Sequence, residues 1–261
     1  MTPRKNLIFD IGMHIGQDTE FYLKKGFCVV AVEANPKLVE ENTKKFKHYI
    51  DKNQLVIEPV CIGKENGFVD FYVNNEVTEW SSVNKVLGSR KVGSNKISVQ
   101  MTTYYDLAVK YGTPYYLKID IEGADLFPIM DLRRCKTRPA YVSYEAAGIG
   151  GAAYLFSMGY SEFKLVMQRE LHTLVQPEVA LEGKSIEHSF PLGSSGPFGE
   201  ETGDVWSSLE DCVSDYVAYK HFRRADNRRP ADWADFHAKS SVFLKQFEHS
   251  DIQQKLIADV A

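Results

Sequence analysis

Apolar and polar positions along this chain fall into blocks that switch between a strand period and a helix period. Leu7-Ile-Phe-Asp10 is a short apolar run that stops on a carboxylate and turns through Gly12 and Gly16. Gln17–Lys25, with Phe21 and Leu23 among polar neighbours, has helical spacing and stops at Gly26, a residue suited to a helix C-terminus. Phe27–Val32 is apolar throughout, the pattern of a strand buried on both faces. It ends in Glu33-Ala-Asn-Pro36, and Pro36 suits the first turn of a helix over Lys37–Tyr49. Leu55–Ile62 reads as a third strand and Phe68–Val73 as a fourth. Strand and helix alternate, so a parallel sheet is expected.

The pattern loosens over 74–95, where Trp80-Ser81-Ser82 lies between acidic and glycine-broken stretches. It then resumes with a strand at Ile97–Thr102, a short helix at Thr103–Lys110 and a strongly apolar strand at Tyr115–Ile121 that is interrupted by Lys118 and Asp120. A helix over about Gly123–Arg133, a strand at Pro139–Glu145, a helix at Ala152–Met158 and a strand at Glu162–Met167 follow. Beyond Glu170 the alternation weakens. Gly193-Ser-Ser-Gly-Pro-Phe-Gly199 is a dense loop stretch, Trp206–Phe222 reads as helix, and Trp233–Lys239 fits a late strand or the start of another helix. One domain over 1–261 is expected, with an α/β core over 1–168 and loops, helices and a candidate last strand over 169–261.

Composition narrows the class without naming it. With 261 residues, 44% apolar and 25% charged, the chain matches an ordinary soluble globular protein. A net charge of −4 and a pI near 6.0 give no global reason to expect a nucleic-acid partner. Cys28, Cys61, Cys135 and Cys212 are scattered, as reduced thiols of a cytoplasmic protein are, and form no zinc or disulfide pattern. No signal-peptide core and no apolar run of membrane-spanning length is present. The seven histidines show no metal-ligand spacing, so no metal is assigned.

The turn after the first strand is Asp-x-Gly-x-x-x-Gly, in which His14 occupies the place of the second glycine of a dinucleotide fingerprint. A side chain there obstructs a pyrophosphate that must approach the backbone. The distance from Gly16 to Glu33 suits a carboxylate that bonds a ribose diol at the end of the second strand, and no Gly-x-x-x-x-Gly-Lys-Ser/Thr is present to make a P-loop. The competing reading is an ordinary tight turn followed by a solvated acid.

Asp10-Ile-Gly-Met-His-Ile-Gly16, Val32-Glu33-Ala-Asn-Pro36 and Leu117-Lys118-Ile-Asp120-Ile-Glu122-Gly123 occur in that order, and together they resemble the FkbM-type methyltransferase family. An Asn is common in that family where His14 stands here. The resemblance implies a Rossmann-like class I methyltransferase fold, with a mostly parallel seven-stranded sheet, helices on both faces and an antiparallel last strand. It implies S-adenosylmethionine as cofactor and methyl transfer to a hydroxyl oxygen of a small molecule or glycan. Mapped onto this chain, Asp10, Gly12 and Gly16 lie against the methionine part, with His14 in the same turn. Glu33, with Ala34 beside it, takes the ribose, and Cys61 and Ile62 flank the adenine.

Methyl transfer requires an acceptor held close and aligned, and an alcohol must lose a proton. Lys118, Asp120 and Glu122 would share one face of an extended strand. Asp120 is then the group that positions or deprotonates the acceptor, with Lys118 and Glu122 tuning it. Alternatively Lys118 and Asp120 are a buried ion pair, with Asp120 or Glu145 as the partner of the ammonium. Ser81, Ser82, Tyr144 and Glu145 are acceptor-side candidates, and Gly193–Gly199 is a candidate lid. Lys220, Arg223, Arg224, Arg228 and Arg229 form a basic cluster that reads as a solvated helix end before a phosphate dock. Trp206, Tyr216 and Tyr219 read as core of the C-terminal helix. The alternatives to an O-methyltransferase are an N-methyltransferase or RNA ribose 2′-O-methyltransferase, and a silent binding protein of the same fold. Oligomeric state and the acceptor's identity are open at this stage.

Overall fold

A computed structural model of the chain describes residues 1–174, 176–203, 205–225 and 233–248. The first half runs β1 (Pro3–Ile11), α1 (Gln17–Lys24), β2 (Cys28–Val32), α2 (Pro36–Lys45), α3 (Lys47–Asp51) and β3 (Leu55–Glu58). Then come β4 (Cys61–Ile62), β5 (Gly67–Asn74), α4 (Lys85–Gly88), β6 (Ser94–Thr102) and α5 (Tyr104–Tyr111). The second half runs β7 (Thr113–Ile119), α6 (Leu126–Asp131), β8 (Tyr141–Glu145), α7 (Gly150–Ser157), β9 (Glu162–Met167), α8 (Leu209–Ala225) and β10 (Ala234–Lys239).

Seven strands form one sheet in the order β3-β2-β1-β7-β8-β10-β9. The pairs from β3 to β8 are parallel, and β10 runs antiparallel between β8 and β9. This is the Rossmann-like α/β arrangement expected, and Trp233–Lys239 resolves as a strand. No described helix is long and apolar enough to cross a membrane.

The expected strand over Leu55–Ile62 divides. Pro59 has no N–H to give a ladder, so pairing with β2 ends at Glu58 and the chain re-pairs at Cys61 in a second sheet. That sheet has the order β4-β6-β5, and the fourth expected strand is antiparallel to β6 there, outside the main sheet. Its period-two pattern fits this placement. Val69, Phe71 and Val73 pack with Ile97, Val99 and Met101, while Phe68 and Asp70 face water.

Alternation along the central strands separates two cores. Phe9, Ile11, Leu117, Ile119 and Val142 build one, with Tyr104, Ile129, Leu155 and Tyr216 from α5, α6, α7 and α8. Ile8, Tyr116 and Tyr141 build the other, with Phe21 and Tyr22 of α1. A long segment before α8 completes this second face without regular strands. Phe198 stacks on Tyr116 with ring centroids 4.4 Å apart. Lys25 Nζ donates to both oxygens of the buried Glu201, at 2.7 and 2.6 Å.

Candidate functional site

The parallel strands put their carboxyl ends at one edge, and the singled-out residues of β1, β2 and β7 meet there. Asp10 is fully buried. Its Oδ2 accepts from Thr19 Oγ1 at 2.5 Å, and its Oδ1 lies 3.1 Å from Lys118 Nζ. Gly12 has φ 92° and donates to Val32 O at 3.0 Å. A Cβ added to it would overlap the carbonyl oxygen of Asp120, so the glycine is required by backbone approach between β1 and β7. Gly16, at φ 81°, caps α1 against the ring of Phe46.

His14 takes φ 49°, and its side chain bridges to a cap above the turn. Its carbonyl accepts from Asn42 Nδ2 at 2.5 Å, and its Nε2 lies 2.9 Å from Thr78 Oγ1. Burial lowers its pKa, opposed by the charge of Glu79. The His14 N–H donates to Glu33 Oε2 and the Asn35 N–H to Glu33 Oε1, both at 2.8 Å. The Ala34 N–H also acts on the carboxylate, so the backbone takes up most but not all of its accepting capacity. Burial pushes the Glu33 pKa up to about 7 against these hydrogen bonds.

Lys118 is only 3% exposed. It donates to Gly12 O at 2.8 Å and lies 3.7 Å from Asp18 and 3.9 Å from Asp120. Its nearest carboxylate is Asp10, in place of the expected Asp120 or Glu145, because Asp10 and Lys118 are register partners on adjacent strands. Burial works against the ammonium, but the charges of Asp10, Asp120 and Asp18 together hold its pKa above the ordinary lysine value.

The expected single face of Lys118, Asp120 and Glu122 does not continue to Glu122. β7 ends at Ile119, Asp120 is 42% exposed, and Glu122 turns a corner at φ 49°. Residues 78–90, expected as a loop, grip that corner. Ser82 Oγ donates to Glu122 O at 2.7 Å, and Arg90 Nη2 donates to Glu122 Oε2 at 2.7 Å. Burial, then the charges of Glu145 and Asp120, push the Glu122 pKa up to about 8 despite Arg90.

The remaining candidates spread around this edge. Ser81 Oγ accepts from Asn74 N at 3.2 Å, and Glu145 ends β8 beside the mouth. Tyr144 turns into the core, stacked on Phe236 at 5.5 Å. Cys61 and Ala34 pack in the small-sheet cluster, and Ile62 packs in the main core. Tyr216 packs in the core against Phe236, whereas Trp206 precedes α8 and donates to Glu200 Oε2 at 3.2 Å. Lys220 covers the rings of Tyr216 and Tyr219; Arg228 and Arg229 and the side chains of Arg223 and Arg224 lie outside the described residues. Among the described residues no group of three or more ligating side chains is placed to hold a metal.

Three contributors escaped the sequence reading. Asp18 accepts from Ser195 N at 2.9 and 3.1 Å, so the Gly193–Gly199 segment is docked on the floor of the site, with Ser194 and Ser195 buried. Asp235 stands beside Glu145 in register and accepts from Gln168 Nε2 at 2.6 Å. Arg90 is the third. Asp18 is an acid in the first turn of α1, which reads equally as ordinary helix-end chemistry, and nothing local distinguishes Asp235 or Arg90.

The buried acids set the pH response of the fold. Burial raises Glu33 and Glu182 to about 7 and Glu122 to about 8, so between pH 6.5 and 8.5 the folded chain binds more protons than the unfolded one. Their stabilising contribution is complete below the unfolded carboxyl range and is lost as pH rises through these values. His14, His188 and His237, all lowered by burial, oppose this only below about pH 6.5. The expected result is a Tm that rises as pH falls from 8.5 to 6.5 in a thermal scan. A flat or inverted profile there would contradict the burial of these acids.

Comparison with known proteins follows the same lines. The model of the methyltransferase FkbM domain matches residues 10–216. No curated protein matches the chain. Among solved structures, methyltransferase FkbM from Methylobacillus flagellatus KT is similar at 16% identity and TM-score 0.38, over 56% of this chain and 34% of that one. The match thus spans about a third of that protein's length. Precorrin-6y C5,15-methyltransferase from Geobacter metallireducens GS-15 is similar at 10% identity and TM-score 0.39, over 92% of this chain and 82% of that one. With the family model covering most of the chain, from Asp10 to Tyr216 within α8, this protein belongs to the FkbM methyltransferase domain family.

Proposed function

We propose that this protein is an S-adenosylmethionine-dependent methyltransferase acting on a hydroxyl oxygen of a small molecule or glycan. The observation that carries the reading is Glu33. Its two oxygens are aimed by the backbone N–H groups of His14 and Asn35, with Ala34 beside them, and the carboxylate retains accepting capacity for a ribose hydroxyl. The same reading assigns Asp10, Gly12 and Gly16 to the methionine part, and Ala34, Cys61 and Ile62 to the adenine. The cofactor supplies a methyl group on a positively charged sulfur. Carboxylates at the edge complement that charge, and on this reading half-exposed Asp120 meets and orients an acceptor hydroxyl. Lys118 fixes Asp10, the Gly12 carbonyl and Asp120 relative to one another. Ser81, Ser82 and Glu145 bound the acceptor side.

The test is thermal stabilisation by S-adenosylhomocysteine against NAD. A ligand at a hundredfold excess over Kd adds about 2.7 kcal/mol to the folded state. S-adenosylhomocysteine is expected to raise Tm and NAD to leave it unchanged; the reverse would overturn the reading. Ribose hydroxyls donate to an ionised carboxylate more strongly than to a neutral one. The affinity for S-adenosylhomocysteine is therefore expected to weaken as pH falls below 7, the value to which Glu33 is raised. Calorimetry across pH 5.5 to 8.5 measures this, and Glu33→Gln should abolish the dependence.

A further inference from the structure

The segment between β5 and β6 is an insertion relative to the main sheet, yet it holds the corner after β7 at three points. Ser82 Oγ takes the Glu122 carbonyl, and Leu87 fills the space a side chain at Gly123 would need. Arg90 takes one oxygen of the Glu122 carboxyl at 2.7 Å. Glu122 is kept at φ 49°, a conformation L side chains rarely adopt. The guanidinium is itself braced, 4.9 Å from the Trp80 ring centre, with Lys91 Nζ 4.6 Å from that same centre. The buried Arg90 Nε–H has no hydrogen-bond partner among the described residues. The second Glu122 oxygen, Oε1, accepts no hydrogen bond among the described residues. Asp120 instead faces the Lys118 ammonium at 3.9 Å.

From this geometry we infer that Glu122 Oε1 receives the proton of the acceptor hydroxyl, and that Arg90 is the positioning residue that aims it. The inference rests on the methyl-transfer reading above and divides the roles within it: Asp120 orients the acceptor and Glu122 is the base. The hydroxyl O–H bond breaks as its proton passes to Oε1. The freed oxygen pair forms the bond to the methyl carbon, and the carbon–sulfur pair stays on sulfur as a neutral thioether. The charged groups facing Glu122 are Glu145 from β8, Asp120 at the end of β7 and Arg90 from the insertion. A base raised to about 8 by the first two and by burial is matched to an alcohol at neutral pH.

The experiment titrates the Glu122 carboxyl by carbon-13 NMR in the full chain, alongside the pH profile of methyl-label transfer into cell-extract acceptors. Wild type, Arg90→Lys, Arg90→Met and Glu122→Gln are compared. Removing an opposite charge in contact is expected to raise the Glu122 titration by about one pH unit or more in R90M. The acid limb of transfer should move up by the same amount, with the rate recovering at high pH. R90K should fall between the two, and E122Q should lose transfer at every pH. S-adenosylhomocysteine should stabilise all four proteins equally. An unmoved Glu122 titration in R90M, an unmoved acid limb, or wild-type transfer by E122Q overturns the inference. If E122Q transfers normally while S-adenosylhomocysteine still binds, only this assignment falls. If S-adenosylhomocysteine fails to stabilise the wild type, the methyltransferase reading falls, whatever the titrations show.

Discussion

Asp120→Ala is expected to lower methyl transfer by about 100-fold to 10,000-fold while S-adenosylhomocysteine affinity stays within a few-fold. Asp120 is half-open to solvent after β7, and among the described residues its side chain makes only a long contact with Lys118. After its removal Lys118 keeps Asp10 at 3.1 Å and Asp18 at 3.7 Å, so the fold and the Glu33 end of the site should persist. The Asp120 backbone is a separate matter. Its N–H donates to Ile11 O at 2.9 Å and its carbonyl fills the space beside Gly12, and neither depends on the side chain. Label transfer from methyl-labelled S-adenosylmethionine into extract acceptors, read beside calorimetric binding of S-adenosylhomocysteine, separates the two quantities. Normal transfer in the variant would remove Asp120 from the reaction.

Lys118→Met is expected to act on stability first, costing about 3–5 kcal/mol, because it deletes one partner of a buried ion pair and leaves the others charged. Asp10 is fully buried and Asp18 nearly so, and Lys118 is the ammonium that faces both. Urea unfolding measures the loss. The double variant Lys118→Met/Asp10→Asn should recover part of it, since the uncompensated charge is gone. Equal stability of K118M and wild type would mean that the row from Asp10 to Lys118 is not the electrostatic centre of the sheet.

The strands facing both cores were legible because burial on two faces leaves a dense apolar run, unbroken in Phe27–Val32 and interrupted only at Lys118 in Tyr115–Ile119. The mostly parallel sheet with an antiparallel last strand followed from alternation and the family resemblance. The division at Pro59 was missed because Leu55–Ile62 stays apolar on both sides of it, and only the missing N–H marks the break. Asp10, Glu33 and Lys118 stood out because each is a charge at the end or middle of an apolar strand. Asp18, Asp235 and Arg90 did not, since their importance comes from partners far along the chain. Ser195, which holds Asp18, lies 177 positions away. Lys118 was expected to pair with Asp120 because spacing along one strand shows neighbours on that strand, whereas the actual partner is set by register across strands.

The antiparallel strand β10 is flanked by β8 on one side and β9 on the other, although it is the last strand in chain order among the described residues. During synthesis β8 and β9 emerge first and have no ladder with each other to form. The growing chain must therefore keep an open gap in its sheet until residue 239 has left the ribosome. A nascent chain cut after α8, near the end of the matched family region, would carry two unpaired strand edges. Its exposure to aggregation should be greatest in that interval. Arrested chains released at 225 and at 248 residues are a direct way to see the gap close.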